Sequence, residues 1–369
     1  MRRLLGFFGK LLFWGVVVAG LTAAGALLLV TRHLDEAVRA EVQRVFSEHY
    51  AGLHVSVRSA QRVEGQGLYV RGLSIKDPHL EGPRGELLYV DEIFMASNCD
   101  IEDLLLGDLQ IDRISVRRPA VRAVRNSQGE WSIRNLLPLP SLGGATPSAS
   151  IEDGTLEIFD PTHNPPSTLT VRRINLEVEP PTASSASGNP NLLGVKGTFA
   201  GDVFAETTVH GWLDPDSGQW SARGEVKRLV VAPETWQALP DVVASQLTGL
   251  GNLRGKADVQ FDLAHRPADA TTPLPLDQFS AEEPCQFHVR GKLVDGRYED
   301  AGLPLPLRNI SADFEISNQF LAVTNLVADG GNATLQMDLR RDGWTDDSPL
   351  HLQAKARQFH VDDAIADVL

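Results

Sequence analysis

The sequence predicts a mainly β protein: an N-terminal transmembrane helix and an amphipathic helix, then a long curved antiparallel sheet forming an elongated open groove. Three observations predict it. Leu11 to Val30 is an apolar run without an ionisable residue. From Leu53 onward apolar side chains alternate at period two, the spacing that puts them on one face of a strand. Clusters of Asp, Asn, Gly and Pro punctuate those runs at short intervals, which builds antiparallel meanders.

The run from Leu11 to Val30 matches the roughly 20 residues a helix needs to cross a ~30 Å hydrocarbon core. Arg2, Arg3 and Lys10 precede it, whereas Arg32 and His33 after it give way to Asp35 and Glu36. The positive-inside bias places the N-terminus in the cytoplasm. A cleaved signal peptide is the competing reading, because Ala24-Gly25-Ala26 fits the small-x-small pattern; Leu27 to Val30 continue the apolar run past it. On either reading the bulk of the chain is exported.

Leu34, Ala37, Val38, Val42, Val45 and Phe46 then recur at spacings of three and four, the stripe of an amphipathic helix over 34–50. The expected role of that stripe is to pack on the first strands; plugging one end of an open sheet is the alternative. Strands follow at Leu53-Val55-Val57, Phe287-Val289, Phe314-Ile316, Leu321-Val323 and Leu335-Met337-Leu339. Turns are expected at Asp77-Pro78, Asn126 to Gly129, Asp214 to Gly218 and Asp329 to Asn332. Leu137 to Ser150, Pro180 to Pro190 and His265 to Pro284 read as long loops, and short helices are expected at Glu234 to Leu247 and Asp362 to Leu369. The divisions expected are 1–33 for the cytoplasmic stub and span, 34–145 for the helix and first groove section, and 146–369 for continuing repeats.

An apolar residue, a basic residue and a glycine recur together in strand-like context. They stand at Val70-Arg71-Gly72, Val195-Lys196-Gly197, Val209-His210-Gly211, Ala222-Arg223-Gly224, Leu253-Arg254-Gly255 and Val289-Arg290-Gly291. Glycine inside a strand marks a bulge, a bend or a close approach. Repeated strand after strand, it relieves crowding on one face and curls the sheet.

Composition narrows the function. Lys and Arg number 34 against 48 Asp and Glu, a formal charge of -14, and no basic cluster interleaves with aromatics, so nucleic acid is not an expected partner. Cys99 and Cys285 form no disulfide framework or Cys-rich metal site, though a single bridge between them stays open. No nucleophile elbow, phosphate loop, dinucleotide fingerprint or zincin motif occurs, so neither catalytic residues nor cofactors are expected. Glu152, Asp153, Asp160 and His163 read as a strand between turns, and Asp214, Asp216 and Gly218 as a hairpin turn instead of a calcium loop. Asn309-Ile310-Ser311 and Asn332-Ala333-Thr334 fit the glycosylation acceptor pattern.

What remains is one apolar face per strand, with too few helices to cover it. Such a face is hidden on a core, on a second sheet or on a ligand. The predicted lining is Leu68, Val70, Ile75, Ile111, Val116, Ile158, Leu176, Val209, Val259, Phe261, Val289, Phe314, Ile316, Val323, Leu335 and Met337. A sandwich with a sealed core is the alternative architecture. At ~4.8 Å per strand, about 15 to 20 strands would run roughly 70 to 95 Å.

The residues also carry a resemblance. Leu53 to Val57, Gly67 to Pro78, Asp103 to Pro119, Gly129 to Leu137 and Ile151 to Asp160, in that order behind a span, resemble the opening of AsmA-like proteins. The likeness covers about residues 1 to 180. Later segments such as Gly302 to Ala312 are similar to the looser repeats of the wider AsmA and TamB group. The resemblance implies a repeating β-groove with an apolar lining, a single-pass inner-membrane anchor and a periplasmic bulk. It further implies a part in phospholipid transport or outer-membrane biogenesis, with phospholipid and other envelope proteins as partners, and no catalytic residues. A tethered β-rich scaffold for envelope assembly, without bound lipid, is the second reading.

Overall fold

A computed structural model describes residues 35–63, 65–80, 82–97, 111–126, 129–136, 147–161, 166–180, 192–214, 218–233, 235, 252–266, 285–300, 306–345 and 347–358. The expected span at Leu11 to Val30, the helix at Asp362 to Leu369 and nearly all of that at Glu234 to Leu247 lie outside these residues. Among them, no helix is long and apolar enough to cross a membrane.

The protein is mainly β. Residues 35–49 form helix α1. The strands are β1 (His54–Val63), β2 (Gly67–Lys76), β3 (Glu86–Ala96), β4 (Arg113–Val124), β5 (Ser148–Asp160), β6 (Ser167–Glu179), β7 (Leu193–Gly201) and β8 (Glu206–Leu213). They continue as β9 (Trp220–Val231), β10 (Leu253–His265), β11 (Cys285–Tyr298), β12 (Leu307–Ser317), β13 (Phe320–Gly330), β14 (Ala333–Asp342) and β15 (Leu350–Arg357). They hydrogen-bond in chain order as one 15-stranded sheet that does not close, since β1 and β15 each have a single neighbour. The loop expected over Leu137 to Ser150 ends earlier than its composition suggested, because Ser148 to Ser150 already pair with β6 or extend β5. Likewise His265 closes β10, opposite Trp220 and Cys285.

The chain divides into two compact units, Met1–Val116 with Asn135–Ala145, and Arg117–Arg134 with Thr146–Leu369. In the first, Val38, Val42 and Phe46 of the expected α1 stripe pack on the strands, whereas Ala37 and Val45 are exposed. Val42 and Tyr50 are buried together with Val55, Val57, Leu68, Val70, Leu73, Ile75, Leu87, Val90, Ile93, Met95, Ile111 and Leu136, while Val38, Phe46 and Val116 pack against them. The Tyr50 hydroxyl donates to the Leu136 carbonyl at 3.4 Å, and burial pushes its pKa up. The alternation in β2 changes phase at Gly72, whose φ is +64°. Leu68 and Val70 before it and Leu73 and Ile75 after it therefore enter one core. Without that shift, one pair would face water. A Cβ at Gly72 would also sit 2.8 Å from that of Arg58.

The second unit repeats the phase change in strand after strand. Asp153, Arg173, Arg228, Asp295, Asn309 and Asn325 all adopt φ between +51° and +54°. At these bulges the apolar residues that share a face stand three apart instead of two, as in Val171 and Ile174, Val226 and Leu229, or Val323 and Leu326. A bulge leaves its own amide outside the ladder, and a neighbouring side chain accepts from it. Asp153 N donates to Asn175 at 3.0 Å, Arg228 N to Asp258 at 2.7 Å and Asn325 N to Asp338 at 2.8 Å. Asp153 and Gly154 are therefore strand interior and not the turn their residue types suggested. Charge assistance shortens and strengthens the two contacts to Asp.

Candidate functional site: an uncovered apolar sheet face

Registers in the second unit place the predicted lining residues on one face, because residues directly opposite across an antiparallel pair point the same way. Ile158 of β5 faces Leu169, and Leu176 of β6 faces Ile151 and Gly197. Val209 of β8 lies between Gly197 and Gly224. Phe261 of β10 lies between Gly224 and Val289, and Val259 faces Gly291. Phe314 of β12 lies between Gly291 and Val323, and Ile316 between Val289 and Leu321. Leu335 and Met337 of β14 face Ala328 and Leu326 on one side and Ala356 and Ala354 on the other.

Of the recurring tripeptide's glycines, Gly197, Gly211, Gly224, Gly255 and Gly291 lie on this same face, and the structure shows why no larger residue fits at three of them. A Cβ at Gly224 would come 2.0 Å from the Thr208 carbonyl oxygen and 2.7 Å from the Phe261 ring. At Gly291 the Phe314 ring would be 2.7 Å away, and at Gly197 a Leu176 methyl 2.5 Å away. Large side chains of neighbouring strands lean over Gly197, Gly224 and Gly291. The basic residue between falls on the other face, where Lys196, His210, Arg223 and Asp262 stand side by side.

Coverage separates the predicted residues into two groups. Leu68, Val70, Ile75 and Ile111 are buried in the first unit's core and Val116 packs against it, so these positions are filled by the chain itself. In the second unit Val231, Ala257, Val259, Leu293, Ile310 and Ala328 are buried. Ile158, Leu176, Val209, Phe261, Val289, Phe314, Ile316, Val323, Leu335 and Met337 are only half-buried. Leu350 and Leu352 of β15 remain 59% and 56% exposed. Among the described residues the buried cluster on this face is assembled from strands β9 to β14 alone, and all the strands belong to one sheet, so no second sheet lies over it.

No protein-family model and no curated protein matches this sequence. The functional reading therefore rests on the face itself and on the chemistry around it. Two carboxylates of the candidate polar group are engaged in ion pairs. Glu152 pairs with Arg117 at 3.1 Å and buried Asp160 with Arg125 at 2.9 Å, while His163 lies outside the described residues. Among the described residues no three His, Cys, Asp or Glu side chains are grouped to hold a metal ion. Cys285 is exposed and free; Cys99 lies outside the described residues.

The bulges are the functional feature that alternation alone misses. A signal for them is present in the sequence: two polar residues between apolar ones, the second with φ above zero, as in Thr324-Asn325 or Arg308-Asn309. The buried positions Ile310 and Ala328 and the half-buried Leu229 lie immediately beyond such bulges or opposite them. Bulges increase local twist and bend the strand, and here burial of the apolar face is deepest beside them.

Proposed function

We propose that this chain is an inner-membrane-anchored periplasmic protein whose apolar sheet face receives phospholipid acyl chains, in phospholipid transport or outer-membrane biogenesis. One observation carries the proposal: the half-buried apolar face of β5 to β15, without a covering layer among the described residues. Contiguous apolar surface on that scale marks a binding site in an exported protein. Each buried methylene is worth about 0.8 kcal/mol, so one long acyl chain gains on the order of 10 kcal/mol before ordering costs. The curvature expected from the glycines and bulges gives the face the form of a groove, with the anchor supplied by Leu11 to Val30. The test is mass spectrometry of lipid co-purifying with residues 34–369 after detergent exchange. Stoichiometric acyl lipid is expected, reduced in Val323→Asp and Met337→Asp. Absence of lipid from the folded unsubstituted protein overturns the proposal in favour of the scaffold.

A further inference from the structure

The polar face of the second unit carries an aromatic side chain that the apolar face does not use. Trp212 of β8 is half-buried and stands between Gly194 of β7 and Ser221 of β9. Both neighbours are small. A Cβ at Gly194 would meet nothing closer than the Glu179 carbonyl oxygen at 3.8 Å, so the space beside the indole is open. The adjacent row is Lys196, His210, Arg223 and Asp262. Lys196 Nζ lies 2.8 Å from Glu177 and 3.0 Å from Glu179, and Arg223 pairs with Asp262. These side chains bound a cavity of about 420 Å³, within the range of small-ligand sites.

We propose that this cavity binds a saccharide ring. The indole offers an apolar plate to the C–H face of a sugar, as amphipathic aromatic rings do at wet binding surfaces. Hydroxyls both donate and accept, and the walls alternate carboxylate acceptors at Glu177, Glu179 and Asp262 with cationic donors at Lys196 and Arg223. The wall charges are already paired with one another. A phosphate would have to displace Glu177 and Glu179 from Lys196, and a quaternary ammonium would find carboxylates that Lys196 and Arg223 hold. A neutral polyol meets neither obstacle. The site lies on the face opposite Phe261 and Val209, so it stands independently of lipid at the apolar face.

The test is saturation-transfer NMR on the full chain in a detergent without a sugar headgroup. The probes are methyl glucoside and the N-acetylglucosamine disaccharide, beside choline and inorganic phosphate. Transfer to saccharide ring protons is expected, with loss in Trp212→Ala and in Gly194→Leu, which fills the space while keeping the indole. Trp212→Phe should retain part of it. The proposal is overturned if neither saccharide receives transfer, if transfer persists in both Trp212→Ala and Gly194→Leu, or if choline or phosphate is the probe that depends on Trp212.

Discussion

In the first unit Val70 and Ile75 are completely buried beneath strands and helix α1, whereas in the second Phe314, Val323 and Met337 keep part of their surface exposed. Both sets come from the same alternating pattern in strands of similar length. What differs is a covering element: Val38, Val42 and Phe46 of α1 supply it in the first unit, and among the described residues nothing supplies it in the second. An alternating strand thus specifies a face, and the presence of an amphipathic helix decides whether that face becomes a core or a surface.

Substitutions sharpen this contrast. Ile75→Ala should cost about 2 to 5 kcal/mol, the range for truncating a buried aliphatic side chain, because nothing can relax into the space. Met337→Ala, removing a side chain that already contacts solvent, should cost roughly 1 kcal/mol or less in the same denaturant titration, since little transfer energy is lost. Equal costs would erase the distinction between core and open face.

A second substitution tests the close approach on the open face. Gly224→Ala places a methyl against the Thr208 carbonyl and the Phe261 ring, and about 1 to 3 kcal/mol of destabilisation is expected, as for overpacking. Thermal unfolding measures it. A neutral result would show that β8 and β10 spread freely, and that the glycine is dispensable.

The smallest effect is a pH dependence confined to the covered unit. Burial raises the Tyr50 pKa, so folding favours the neutral phenol. The folded state then binds the proton more tightly than the unfolded chain. Its stabilising effect is complete below the ordinary tyrosine value and is lost as pH rises through the raised one. Amide exchange of β1 and β2 should accelerate in that alkaline window, and Tyr50→Phe should flatten the dependence. Persistence of the slope in Tyr50→Phe would assign it to another group.

Much of the fold was legible because alternation is local. Phe314 and Ile316, or Leu335 and Met337, declare their shared face by spacing alone, and the recurring apolar-basic-glycine triplet declares its two faces in the same way. Glycine at 197, 224 and 291 was readable as a position of close approach, although the partners Leu176, Phe261 and Phe314 were not, since they stand far away in the chain. The bulge residues Arg173, Arg228 and Asp295 gave no warning by type, being ordinary charged residues. The saccharide cavity was invisible for a related reason: Gly194, Trp212 and Ser221 are adjacent only through the ladder.

The sequence by itself determined that the chain is built of strands, which side chains share a face between one bulge and the next, and where charge and apolarity separate. Those properties follow from nearest neighbours and a period of two. Only the tertiary structure decided that the strands pair in chain order into a single open sheet, that α1 covers the first strands, and that the apolar face of β5 to β15 is left without a layer of its own chain among the described residues. Coverage depends on whether a distant element reaches a face, and alternation carries no information about distance.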